Sequence, residues 1–223
     1  MYRNKTAELV NEWAAFEEGH PGADIGDFCR YYLVYQREKD GAKVLFDGAI
    51  PSKPDIVITK LIGRIARMQM VYLHMAMEGI RINNFEEFAL LNAISHLHSP
   101  RKTEAIYHTI NELSTGLNLL ANLKKQGYIT ERDDPDDKRS KRLNLTPKGG
   151  KVLQTCYGHF RKVTEMFFME MSGQDIEVCV QLLKNVDIKF SGLWQQHKGK
   201  PFGQVYEGMT GKKAEDKKHG AGK

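Results

Sequence analysis

Residues 126–150, QGYITERDDPDDKRSKRLNLTPKGG, set the chain's most acidic and most basic patches side by side. Asp133, Asp134, Asp136 and Asp137 adjoin Lys138, Arg139, Lys141 and Arg142 around a single proline. The cations offer phosphate recognition. The aspartates offer turn chemistry, because proline presets φ and an Asp side chain bonds its own backbone. Catalytic patterns are missing by comparison: no Ser-His-Asp arrangement, Walker loop or paired-carboxylate motif is recognisable, and "KGG" at 148–150 lacks the rest of a P-loop. An enzyme is not expected, and no cofactor is called for.

Net charge, divided by region, points the same way. Residues 1–98 sum to −2, residues 99–151 to +4, residues 152–197 to −1 and residues 198–223 to +4. The excess positive charge is confined to a central segment and the tail, which suggests a polyanion partner more strongly than the overall pI does. At 41% hydrophobic and 27% charged, the 223 residues can form a real core. No apolar run approaches a membrane span, and the N-terminus lacks an apolar signal core, so a cytoplasmic protein without membrane contact is expected. Cys29, Cys156 and Cys179 are odd in number and far apart, which argues against disulfides and a zinc knuckle. His96, His98 and His108 lie close in sequence but form no four-ligand set, so no metal is assigned.

The elements that must hold the charged stretch are mainly helical. Leu9, Trp13 and Phe16 mark a helix over 6–18, and Ile25, Phe28, Tyr32 and Tyr35 a second over 23–39. A Gly- and Pro-rich connector follows. Ile58, Leu61, Ile65, Met68, Tyr72 and Met75 then give a long helix over 55–78, stopped by Gly79. Asn83 with Glu86 has the form of a capping box for the next helix, and Thr109 with Glu112 that of another. Ser99 and Pro100 suit an N-cap and a first helical position. A helix to Gln126 should bury Leu113, Leu117, Leu120 and Leu123, leaving Ser114, Thr115, Asn118, Asn122 and Lys125 on the opposite face. Strands in "YITER" and "SKRLNL" flank the DDPDD tip. Two closing helices show 3,4 spacing, the first through Leu153, Cys156, Phe160, Val163 and Phe167. The second runs through Ile176, Cys179, Leu183, Val186, Phe190 and Leu193.

Helix-turn-helix followed by a hairpin is the plan of a winged helix. At this point "DKRSKRLNLTPKG" matches the Asp-x-Arg-x5-Leu-Thr-x2-Gly signature of the MarR family of bacterial transcriptional regulators, with Asp137, Arg139, Leu145, Thr146 and Gly149 in its five fixed places. The chain resembles that family over about residues 55–197. Residues 1–54 fall outside the resemblance, and the family's usual N-terminal part is shorter. The resemblance implies that Arg139, steadied by Asp137, enters a DNA minor groove, where narrow A·T-rich stretches attract guanidinium. Lys138, Lys141 and Arg142 would then neutralise phosphates. It also casts Ser114, Thr115, Asn118, Asn122 and Lys125 as the major-groove face, with Arg101 and Lys102 as phosphate contacts. Gly116 either lets this helix approach DNA closely or accommodates packing.

The expected fold is therefore mainly α with a small β-wing: a winged helix-turn-helix domain plus a helical dimerisation domain. The segments are an N-terminal helical extension at 1–54, a first dimerisation helix at 55–82, the DNA-binding domain at 83–150, C-terminal dimerisation helices at 151–197 and a disordered basic tail at 198–223. The expected function is a homodimeric repressor on a palindromic operator in double-stranded DNA, released by a small-molecule effector. Two other classes fit the same fold: a winged-helix module that binds proteins without DNA, and a cysteine- or metal-responsive sensor.

Overall fold

The computed structural model describes residues 4–38, 45–137 and 139–213, with side chains undescribed over 34–38. The chain divides into two compact units, Met1–Ile62 and Gly63–Lys223.

In the first unit, α1 (Lys5–Gly19) and α2 (Ile25–Glu38) pack through aromatic rings. Phe16 and Phe28 are buried, and Phe28 meets Trp13 edge-on at 5.2 Å and Phe16 at 5.6 Å. The anticipated stripes are only half used, since Leu9 and Ile25 are exposed. Tyr35 lies outside the described side chains. A 3-10 turn, Leu45–Gly48, buries Phe46 beneath Lys60 Nζ, 4.2 Å from the ring.

The long helix α3 (Pro54–Met77) spans the unit boundary. Its expected stripe is largely exposed at Ile58, Met68, Tyr72 and Met75; Leu73 and Met77 are the buried positions. Then follow α4 (Phe85–His96), α5 (Lys102–His108), α6 (Leu113–Lys125), β1 (Ile129–Asp133), β2 (Lys141–Leu145), α7 (Pro147–Phe168), α8 (Gly173–His197) and α9 (Phe202–Thr210). The strands pair antiparallel with Ile129 opposite Leu145 and Asp133 opposite Lys141. One core, including Leu90, Leu91, Ile94, Ile106, Leu123 and Leu143, joins α4, α5, α6 and the hairpin to Leu153 and Cys156 of α7.

Three helix starts differ from expectation. At α4 the cap is Asn84, whose side chain accepts from Glu87 N at 2.8 Å; the buried Glu87 carboxylate accepts in turn from Asn83 N and Nδ2. At α5 the cap is Arg101, whose N–H donates to Glu104 Oε2 at 2.8 Å, with Ser99 held at φ 72° outside the helix. Before α6, Thr109 Oγ1 donates back to Ile106 O, and Glu112 takes the cap position without a side-chain bond.

Within α6 the core side is Gly116, Leu119, Leu120 and Leu123. Leu113 and Leu117, expected inside, are exposed, because the buried arc is rotated toward Ile106. A Cβ on Gly116 would fall 2.5 Å from Ile106 Cγ1, so this glycine serves packing. The closing helices divide. Helix α7 buries Leu153, Cys156 and Val163, whereas none of the 25 residues of α8 is buried. Where a disordered tail was expected, Pro201 introduces α9, whose amphipathic Phe202, Val205, Tyr206 and Met209 share one side, and Gly211 ends it at φ 67°.

Candidate nucleic-acid interface

Helix α6 and the hairpin present a joint polar surface. Ser114, Thr115, Asn118, Asn122 and Lys125 are all exposed on α6, on the side away from the core. Leu117, expected on the buried side, and Ala121 are exposed among them as a short apolar strip. Amides and hydroxyls at this spacing can bond base edges, and small apolar side chains can meet thymine methyl groups. Beside the strip a groove of about 420 Å³ runs to the wing, lined by Lys102, Leu117, Ala121, Lys124, Lys125 and Glu131.

At the wing tip Arg139 is 98% exposed. Asp137 does not clamp its side chain by a hydrogen bond; Arg139 Nε lies 3.8 Å from Asp137 Oδ1. The carboxylate instead accepts from the backbone N–H of Arg139 at 3.0 Å and from Ser140 Oγ at 3.0 Å. Asp137 thus fixes the turn from which the guanidinium projects, and the guanidinium itself stays extended into solvent. Lys138 lies outside the described residues.

The wing's root is held by Asp134, which is 1% exposed. Its Oδ2 accepts from Arg101 Nε at 2.6 Å, and Arg142 Nε lies 3.1 Å from the same oxygen without hydrogen-bond alignment. Oδ1 accepts from Asp136 N at 3.0 Å. The Arg101 bond, then the Asp136 amide, hold this carboxyl at about 2, below its ordinary 3.8, despite burial acting in the opposite direction. Pairing of Arg101 with Arg142 as an isolated bridge, with Leu143 N donating to Pro100 O at 2.9 Å, ties the α5 start to β2. Arg142 is therefore a structural cation, bonded also to Ser99 O at 3.2 Å.

Among the described residues, the other expected phosphate contacts, Lys102 and Lys141, also carry internal partners. Lys102 lies 2.9 Å and Lys124 3.0 Å from the two oxygens of Glu131. Burial raises the Glu131 pKa, but the bonds from Lys102 and Lys124 outweigh it and leave the group lowered. Lys141 is paired with Asp133. The residues that spacing alone did not single out are thus Asp134 and Glu131. One of four clustered aspartates gives no signal of being the buried one, and a strand glutamate with lysines 29 and seven positions away gives none of bridging them.

Gly149 positions α7 against this unit. Thr146 caps the helix, its Oγ1 accepting from Gly149 N at 3.0 Å, and its N–H donates to Tyr128 O at 2.9 Å. Among the described residues no group of three or more His, Cys, Asp or Glu could hold a metal ion, and no helix is long and apolar enough to cross a membrane. Cys156 is buried; Cys29 and Cys179 are exposed.

Residues 84–149 match a family model described as a winged helix DNA-binding domain. The transcriptional regulator HosA of Escherichia coli O111:H- is 26% identical over 100 residues, which are 45% of this chain and 74% of that protein. A variant of Escherichia coli MarR solved in complex with operator DNA superposes with a TM-score of 0.54 at 19% identity, over 65% of this chain and 99% of that one. Bordetella bronchiseptica BpsR, whose DNA binding is regulated by 6-hydroxynicotinic acid, gives 0.53 at 17% identity, over 58% and 98%.

Proposed function

We propose that the chain is a MarR-family transcriptional regulator whose winged helix binds DNA, and that it acts as a homodimeric repressor on a two-fold symmetric operator. In this reading α6 lies in the major groove, with Asn118 and Asn122 at base edges and Ser114, Thr115 and Lys125 at bases or phosphates. Arg139 enters the adjoining minor groove, and Arg101, Lys102, Lys138 and Lys141 approach the backbone. Asp134 holds Arg101 through Nε, so the terminal amino groups are the part that meets a phosphate.

The observation that carries the reading is the guanidinium of Arg139, almost fully exposed at the tip of a ribbon whose turn Asp137 fixes. Dimerisation is supported by α8, which exposes Leu182, Val186, Ile188 and Phe190 and buries nothing. Such a surface fits a second copy, and two copies double the phosphate contacts on half-sites about one DNA turn apart. Release by a small-molecule effector completes the reading, by analogy with BpsR.

The test is binding to the protein's own upstream intergenic DNA, followed by fluorescence anisotropy across a salt titration. Arg139→Ala should weaken binding at least about tenfold and flatten the salt slope by roughly one to two units, one per wing. Affinity indifferent both to salt and to this substitution defeats the proposal.

A further inference from the structure

The C-terminal end of α8 is fastened to the start of α6. Lys198, the residue that ends α8, places Nζ 2.6 Å from Glu112 Oε2, and Glu112 occupies the N-cap of α6. The same ammonium lies 5.5 Å from the Tyr107 ring and 5.9 Å from the Trp194 ring. Tyr107, on α5, and Trp194, on α8, meet edge to face at 6.1 Å. One cation thereby grips both helices of the helix-turn-helix, at the end of α6 from which Ser114 and Thr115 follow.

Folding stability does not account for this contact. The Glu112 side chain is 65% exposed and that of Lys198 32%, and an ion pair so wet contributes little. Nor is it an edge of a larger α8 core, since α8 buries no residue in the described chain. What the contact does fix is direction. Lys198 is attached to the last turn of the helix that carries the dimer surface, and Glu112 to the first residue of the helix that reads DNA.

We infer that Lys198, Glu112, Tyr107 and Trp194 form a clasp that sets the angle of α6 against α8, and through it the separation of the two recognition helices in the dimer. The inference rests on the DNA-binding dimer proposed above. Lys198 and Glu112 are positioning residues in it: they act on DNA through α6. Loosening the clasp lets each α6 swing about its anchor in the core, so binding weakens on the preferred half-site spacing and becomes less particular about that spacing.

The experiment uses the full chain and a duplex selected from random DNA by the wild-type protein, with companion duplexes whose half-site separation is changed by about one or two base pairs. Lys198→Met and Glu112→Gln are each expected to lower affinity for the selected duplex roughly three- to tenfold and to narrow the gap between it and the re-spaced duplexes. The double variant should lose no more than the worse single one. The reversed pair, Lys198→Glu with Glu112→Lys, should recover most of the affinity and the spacing preference.

Strict additivity of the two single losses overturns the clasp and makes Lys198 a plain phosphate contact. An unchanged spacing preference overturns it as well. Arg139→Ala is the control for the underlying reading. If the wild-type chain selects no duplex, that reading fails; if it does and Arg139→Ala weakens binding while the clasp variants behave as wild type, the clasp alone fails.

Discussion

Replacing Gly149 by alanine sets a gain against a loss on one residue. An alanine Cβ would lie 2.2 Å from the Tyr128 carbonyl oxygen, 2.9 Å from its carbonyl carbon and 3.1 Å from its Cα. All three are backbone atoms, so no side-chain rotation relieves the clash. Tyr128 cannot simply retreat, because its oxygen accepts from Thr146 N at 2.9 Å and Thr146 Oγ1 at 3.1 Å, its N–H donates to Leu123 O at 3.0 Å, and its ring is buried. Alanine gains about 1 kcal/mol of helix propensity over glycine. Against this stand overpacking, typically about 1–3 kcal/mol, and one or two displaced hydrogen bonds at about 1 kcal/mol each. The net expectation is a loss of about 2 kcal/mol. Gly158→Ala is the internal reference: it lies on the same helix with nothing within 4 Å of its added Cβ, and should gain up to about 1 kcal/mol. Urea denaturation followed by circular dichroism, at fixed protein concentration because the stability of any self-associating chain depends on it, measures both. Equal midpoints for the two variants, or a stabilised Gly149→Ala, refute the close-approach argument.

Three further outcomes are expected. Asp134 has a folded-state pKa depressed to about 2, so its contribution to the wing is complete above the ordinary carboxylate value and fades as pH falls toward 2. A carboxyl NMR titration should show its midpoint near 2, Asp134→Asn should remove the acid-dependent change in the wing signals, and a midpoint near 4 contradicts the buried pair. Glu131→Gln releases Lys102 and Lys124 and should raise DNA affinity roughly two- to fivefold irrespective of sequence, measured by anisotropy on an unrelated duplex; lowered affinity would show that the glutamate aligns these lysines. Val186→Arg on the exposed face of α8 should yield monomers by analytical ultracentrifugation with the winged unit still folded, whereas an unchanged mass places the dimer surface elsewhere.

Sequence made the order of helices, the hairpin and the polar face of α6 legible, because each is written in local spacing. The 3,4 pattern of Leu153, Cys156 and Val163 reports a buried stripe that α7 does bury. The equally regular pattern of α8 looks identical in sequence, yet none of its residues is buried in one chain, since periodicity records amphipathicity and not what covers it. Caps were placed one to three residues early: Asn83 and Asn84 are chemically alike, and only backbone direction chooses between them. Leu113 and Leu117 were misplaced for a related reason. The α6 core arc turns toward Ile106, a contact that Gly116 permits and that no local pattern announces. At the site, residue types pointed to the surface but not to pairings across it, such as Arg101 with Asp134 over 33 positions.

Those pairings change how this surface meets a polyanion. Lys102 and Lys141 each carry a carboxylate partner and Arg101 keeps Asp134 at Nε, so in the proposed complex a phosphate meets cations that are already partly neutralised. The neighbouring carboxylates offset part of each phosphate's attraction, so such contacts would contribute less to indiscriminate adhesion than bare cations would. In the proposed complex, preference for a particular stretch would then come from the extended guanidinium and the amides of α6, groups whose gain depends on the bases they find.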